Sequence, residues 1–179
     1  EFYGRFDVAF NAAMKNWLSP SVGQSPAVST GNRVPVYRFY NGTTGAHFFT
    51  ASPAELDNTL QHCPLLAYFL FFFFSQAATQ MGNSPVYRFF GSMGGAHFYT
   101  ISAAERDAVV ASNSDFKYEG VAWFANTSAA AGGTPLYRFY QPAKGVHFYT
   151  ISAAERDYLI ANAPGYRYEG IGYYAWAGL

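Results

Sequence analysis

Tyr37–Thr50 reads YRFYNGTTGAHFFT, Tyr87–Thr100 reads YRFFGSMGGAHFYT and Tyr137–Thr150 reads YRFYQPAKGVHFYT. Each holds one arginine and one histidine among aromatic residues. Two short aromatic runs flank a glycine-bearing turn, the pattern of a β-hairpin. Placing the turn at 42–45 opposes Asn41 to Ala46, Tyr40 to His47, Phe39 to Phe48 and Arg38 to Phe49. Alternation then puts Tyr37, Phe39 and Phe48 on one face, assigned to the core, and Arg38, Tyr40, His47 and Phe49 on the other. The later copies place Arg88, Phe90, His97 and Tyr99, and Arg138, Tyr140, His147 and Tyr149, in the same way.

The repetition reaches beyond the hairpin. Residues 85–125 align with 135–175 without a gap and are identical at 21 of 41 positions, which makes the chain a tandem array. After the hairpin, TISAAERDAVVA predicts a helix: Ser102 is a candidate N-cap with Glu105 three residues on, and the spacing recurs as Ser52 with Glu55 and Ser152 with Glu155. YEGVAWFA and YEGIGYYA predict a third strand. The expected fold is therefore α+β, with three strand-strand-helix-strand repeats over 34–83, 84–133 and 134–179. Units this small cannot bury enough surface alone and must share a core, by stacking or around a pseudo-threefold axis. Residues 1–33 fall outside the pattern; the spacing of Phe6, Phe10, Ala13 and Trp17 is helix-like and suits a cap or a partial repeat.

Composition narrows the function. The chain has 179 residues, half of them hydrophobic, with a formal net charge of zero. Nothing in it is built to hold a phosphate backbone, so nucleic acid is not an expected partner. The run CPLLAYFLFFFFS at 63–75 is shorter than the roughly 20 residues of a membrane helix and reads as a buried strand. Cys63 is the lone cysteine and cannot form an internal disulfide. A start at Glu1 without a Met suits a processed or incompletely observed protein. Sequons at Asn41 and Asn126, expected on exposed turns, suit a secreted glycoprotein.

The recurring Arg and His admit two readings. In the first they are structural: Arg88 pairs with Glu119 and Arg138 with Glu169, both from the third strand, and the histidines are hydrogen-bonded in place. Arg38 has Phe69 in place of that carboxylate and is expected to turn to a backbone carbonyl or to solvent. In the second, each repeat forms a small pocket of rings and fixed donors, a combination suited to the apolar face and the hydroxyls of a sugar. Candidate ligand-binding residues are Arg38, Tyr40, His47, Arg88, His97, Tyr99, Glu119, Arg138, Tyr140, His147, Tyr149 and Glu169. No histidine has a partner at metal-ligand spacing, and there is neither a nucleophile elbow nor an HExxH motif. No metal, cofactor or catalytic residue is expected.

The sequence VYRFYN…HFYT…AERD…YEGVAWFA resembles a tandem-repeat family of unassigned function in secreted bacterial and fungal proteins, often appended to cell-wall glycoside hydrolases. The resemblance covers 35–176. It implies an extracellular accessory module, binding glycans or cell wall; a structural, self-associating protein is the alternative. In the first repeat Phe69 and Leu70 stand where the family has Glu and Gly.

Overall fold

The computed structural model describes residues 32–63, 66–92, 94–112, 115–129 and 132–177, with 66–72 described by their backbone. The helix-like stretch at Phe6–Trp17 lies outside the described residues. The chain runs β1 (Arg33–Asn41), β2 (His47–Thr50), α1 (Pro53–His62) and β3 (Leu66–Gln76). It continues with β4 (Asn83–Gly91), β5 (Ala96–Thr100), α2 (Ala103–Ser112) and β6 (Phe116–Asn126), then β7 (Thr134–Gln141), β8 (Val146–Thr150), α3 (Ala153–Asn162) and β9 (Arg167–Ala175).

These elements correct the expected α+β class, because the described residues are mostly antiparallel β, in a single sheet of nine strands. The physical reason is that the helices carry little of the core. Each is ten residues long; α1 buries Leu56 and Thr59, α3 buries Glu155 and Leu159, and α2 buries nothing. Strands of successive repeats are also hydrogen-bonded to one another, so the repeats are not separate units. Gln76 pairs with Phe124, Asn126 with Tyr174, and a bridge between Phe74 and Trp176 closes the circuit.

Within each third of the chain the first strand lies in the middle: β1 between β2 and β3, β4 between β5 and β6, β7 between β8 and β9. The hairpin register is the one alternation requires, with Tyr40 opposite His47, Phe39 opposite Phe48 and Arg38 opposite Phe49. Both faces of the hairpins are covered. Tyr37 and Phe39 pack with Leu56 of α1, and Phe48 is partly buried against them. On the opposite face Phe49 joins Tyr99, Tyr149, Phe73, Trp123 and Tyr173 in one core shared by all three repeats.

At the centre of that core, the rings of Phe49, Tyr99 and Tyr149 form a triangle. Their centroids lie 5.7, 5.7 and 5.8 Å apart, each pair edge-to-face, the arrangement favoured by ring quadrupoles. The Tyr99 hydroxyl accepts from the Phe49 N–H at 3.0 Å and donates to the Phe49 carbonyl at 2.7 Å. Tyr149 does the same to Tyr99, at 2.9 and 2.8 Å. Ala46, Ala96 and Val146, one from each hairpin, form a second small cluster.

Candidate functional site

The recurring arginine and histidine sit at the joints between repeats. Arg88 Nε lies 2.8 Å from Glu119 Oε2, and Arg138 Nε lies 2.9 Å from Glu169 Oε2, the two pairs foreseen from sequence. The other side of each guanidinium reaches into the preceding repeat. Arg88 donates through Nη1 and Nη2 to Glu55 at 2.9 and 2.8 Å, and Arg138 donates likewise to Glu105 at 2.9 and 3.1 Å. Arg38 closes the ring, with Nη1 3.7 Å from Glu155 of the third repeat. One phenylalanine per joint completes the seam: Phe48 packs on His97 at 4.8 Å, Phe98 on His147 at 4.7 Å and Phe148 on His47 at 4.9 Å.

The helix N-termini explain how Glu55 and Glu105 are free to do this. Ser52 accepts from the Glu55 N–H at 3.3 Å, as an N-cap should. The glutamate does not reach back to the Ser52 N–H itself. Thr50 Oγ1 accepts from that N–H at 2.9 Å and donates to Glu55 Oε2 at 2.5 Å, which leaves the carboxylate aimed at Arg88. Thr100, Ser102 and Glu105 repeat the relay, as does the Thr150–Ser152 bond.

The Tyr-Glu-Gly motif places the second carboxylate through a β-bulge. Arg88 pairs with Gly120 and Phe89 with Tyr118, so Glu119 is the extra residue; Arg138, Gly170, Phe139, Tyr168 and Glu169 repeat the pattern. Gly120 and Gly170 take φ of 99° and 95°, a region that L side chains avoid. The first repeat has Leu70 at the glycine position, and among the described residues no non-glycine has positive φ. Its bulge is displaced: Arg38 pairs with Phe69, and Leu70 becomes the extra residue.

Arg38 does not turn to solvent. Its Nε donates to His47 Nδ1 at 3.1 Å and its Nη1 faces Glu155. Arg38 is 3% exposed, and His47 and Glu155 are each 7% exposed. The joint between repeats 3 and 1 is thus packed shut, whereas Glu55 and Glu105 keep about a third of their side chains in solvent.

Electrostatics follow the packing. Burial pushes His147 down to about 4. It also lowers His97, and it holds His47 well below its usual value with help from the Arg38 charge. All three imidazoles are neutral at pH 7. Bonds from Arg88 hold Glu55 below the usual carboxylate range. Burial pushes the other way on Glu105, but Arg138 and Thr100 outweigh it and the carboxyl is lowered. In the closed joint burial dominates, raising Glu155 and lowering Arg38.

A cavity of about 550 Å³ opens at the joint between repeats 2 and 3. Repeat 2 supplies His97, Phe98, Asp115 and Phe116, and repeat 3 supplies Tyr140, Lys144, His147, Arg167 and Glu169. This cleft thus lies between two repeats. Arg167 was not singled out from sequence. Its Nη2 donates to Glu169 Oε1 at 3.1 Å, and its guanidinium lies 5.3 Å over the Tyr140 ring. The signal was available in RYEG, a cation two residues before a fixed glutamate, which a strand puts on the same side.

Three sequence expectations need correction. Tyr99 and Tyr149 are 1% and 2% exposed in the axial core and present no surface to a ligand. Asn126, expected on an exposed turn, is 5% exposed at the end of β6, with no room for a glycan. Asn41 is half-buried, and its Oδ1 accepts from the N–H groups of Thr43 and Thr44, capping the hairpin turn. Tyr40 stands 4.8 Å from His47 beside the closed joint. Among the described residues there is no group of three His, Cys, Asp or Glu that could hold a metal ion, and no helix long and apolar enough to cross a membrane.

A family model described as a domain of unknown function (DUF5648) matches residues 8–64 and 71–176. No curated protein and no solved structure matches the chain.

Proposed function

We propose that this chain, which belongs to the DUF5648 family, is a secreted, non-catalytic, lectin-like module that binds carbohydrate in the cleft between its second and third repeats. The observation that carries the reading is the 550 Å³ cavity, a size that suits one or two sugar rings and is walled by half-buried aromatics beside fixed polar groups. Tyr140 and Phe116 offer ring surface for the apolar face of a sugar. Glu169, held by Arg138, offers a positioned acceptor, and the neutral His147 a polar ring nitrogen. A pinned group loses little freedom on binding, which favours affinity. The neutral chain lacks the basic surface that nucleic acid needs. Binding of wild type and Tyr140→Ala to a glycan array and to insoluble cell-wall polysaccharide tests the reading. Wild type should bind a defined glycan set, and the variant should lose roughly 1 kcal/mol of ring contact while keeping its fold.

A second reading, self-assembly, is favoured by one observation. Leu60, Val110 and Ile160 occupy the same position on the three helices, and each is more than half exposed. Size-exclusion chromatography at low and high concentration separates the two: a binding module stays a discrete species, and an assembling protein shifts to larger ones.

A further inference from the structure

We infer that the cleft between repeats 2 and 3 selects a neutral saccharide over an acidic one, and that Arg167 is the residue that engages its hydroxyls; the inference rests on the carbohydrate reading above. The charges that line the cleft balance. The cavity is lined by two cations, Lys144 and Arg167, and two carboxylates, Asp115 and Glu169. Its two histidines are neutral, since burial lowers both. Behind the wall, Arg138 is shared by Glu105 and Glu169, one cation between two anions. That cluster would carry a surplus negative charge without Arg167, whose bond to Glu169 Oε1 makes the count even. A uronate entering a balanced cleft meets no surplus cation to offset its desolvation, whereas a neutral ring with adjacent hydroxyls can donate to a carboxylate and accept from a guanidinium at the same place.

Arg167 also fixes the geometry. Glu169 holds one end of its guanidinium, and the Tyr140 ring lies beneath it. His147 packs on the same ring, with centroids 4.8 Å apart. A sugar that stacks on the face of Tyr140 under Arg167 must lie beside the guanidinium or replace it, and either course brings its hydroxyls within reach. The joint between repeats 1 and 2 has Phe90 and Lys117 at the matching positions. It lacks both the phenol and the planar fork, so the two joints are not interchangeable.

The test is calorimetric titration of neutral and uronate oligosaccharides of matched length against wild type, Arg167→Ala and Asp115→Asn, with melting curves as a folding check. Arg167 has a side chain two-thirds exposed, so its replacement leaves the fold intact. Wild type should favour the neutral ligand, Arg167→Ala should lose about tenfold in that affinity, and Asp115→Asn should narrow the gap between the two ligand classes. A wild type that prefers uronates, or an Arg167→Ala variant with unchanged neutral binding, overturns this inference alone. A wild type that binds no saccharide overturns the carbohydrate reading and this inference with it.

Discussion

Arg88 and Glu55 stand 33 residues apart in different repeats and meet through two parallel hydrogen bonds of 2.9 and 2.8 Å. The glutamate caps its own helix through Thr50 while it receives the guanidinium of the next repeat, so one carboxylate ties local helix formation to assembly of the ring. The third joint uses the same pair in a different setting, because Arg38 and Glu155 are buried and 3.7 Å apart. Removing one partner of a buried pair strands the other charge, at a cost of about 3–5 kcal/mol. Removing one from a part-exposed pair costs less, about 1.5–3 kcal/mol. Glu155→Ala should therefore lower the urea midpoint more than Glu55→Ala, and the reverse order would show that the closed joint does not hold the ring.

The triangle of rings at the core has two hydroxyls where the repeat pattern has room for three. Tyr99 serves the backbone of Phe49 and Tyr149 serves that of Tyr99, but Phe49 has no hydroxyl to offer Tyr149. Phe49→Tyr should add the missing bonds and stabilise the protein by about 1 kcal/mol. Tyr99→Phe should cost about 1–3 kcal/mol, because the Phe49 N–H loses its partner in a dry core. Thermal melts of the two variants check both signs; a destabilised Phe49→Tyr would mean that the centre is too tightly packed for one more oxygen.

The hairpins were legible in the sequence because a two-residue period and a glycine turn leave one register, and Tyr40 does face His47. The pair of Arg88 and Glu119 was equally readable, since the arginine and the Tyr-Glu-Gly motif recur together. What alternation could not tell was whether the second face meets solvent or another repeat. Tyr99 and Tyr149 went to the shared core because three hairpins converge there, a fact of tertiary assembly. The bond from Arg88 to Glu55 was hidden for the same reason. Its trace lies in repeat 1, which keeps Glu55 although Arg38 has no Glu at position 69. A glutamate whose only task was to cap its own helix need not recur wherever the arginine does.

The buried histidines give stability a defined acid limb. His147 titrates at about 4 in the native state and near its ordinary value when unfolded. Between roughly pH 6.5 and 4 the unfolded chain binds the proton and the native chain does not, so stability falls as pH drops through that window. The loss from His147 alone approaches about 3 kcal/mol at its lower end. Glu55 and Glu105, held ionised by arginine, add to the loss only at lower pH, as they protonate. Urea midpoints at pH 7.5, 6 and 5 should decline steadily, and His147→Gln should flatten the decline. Because burial lowers both cleft histidines, His97 and His147, below their ordinary value, saccharide binding should be level from pH 6.5 to 8.

Gly170 aims Glu169 through its backbone conformation. At Gly170 a Cβ would meet no atom within 4 Å, so a side chain is excluded by the backbone, at φ 95°, and not by crowding. Gly170→Ala should cost about 1–2 kcal/mol if the backbone holds its conformation. If it does not hold, the first repeat shows the alternative: with Leu70 at this position the bulge moves on by one residue, and residue 69 becomes the partner of Arg38. The same slip in repeat 3 would turn Glu169 away from Arg138 and from Arg167, and the cleft would lose its positioned acceptor. Gly170→Ala should therefore lose saccharide binding in proportion well beyond its loss of stability, while Gly120→Ala, whose bulge aims Glu119, a residue outside the cleft lining, should lose far less binding for its loss of stability. Equal binding by the two variants would show that the bulge does not position the site.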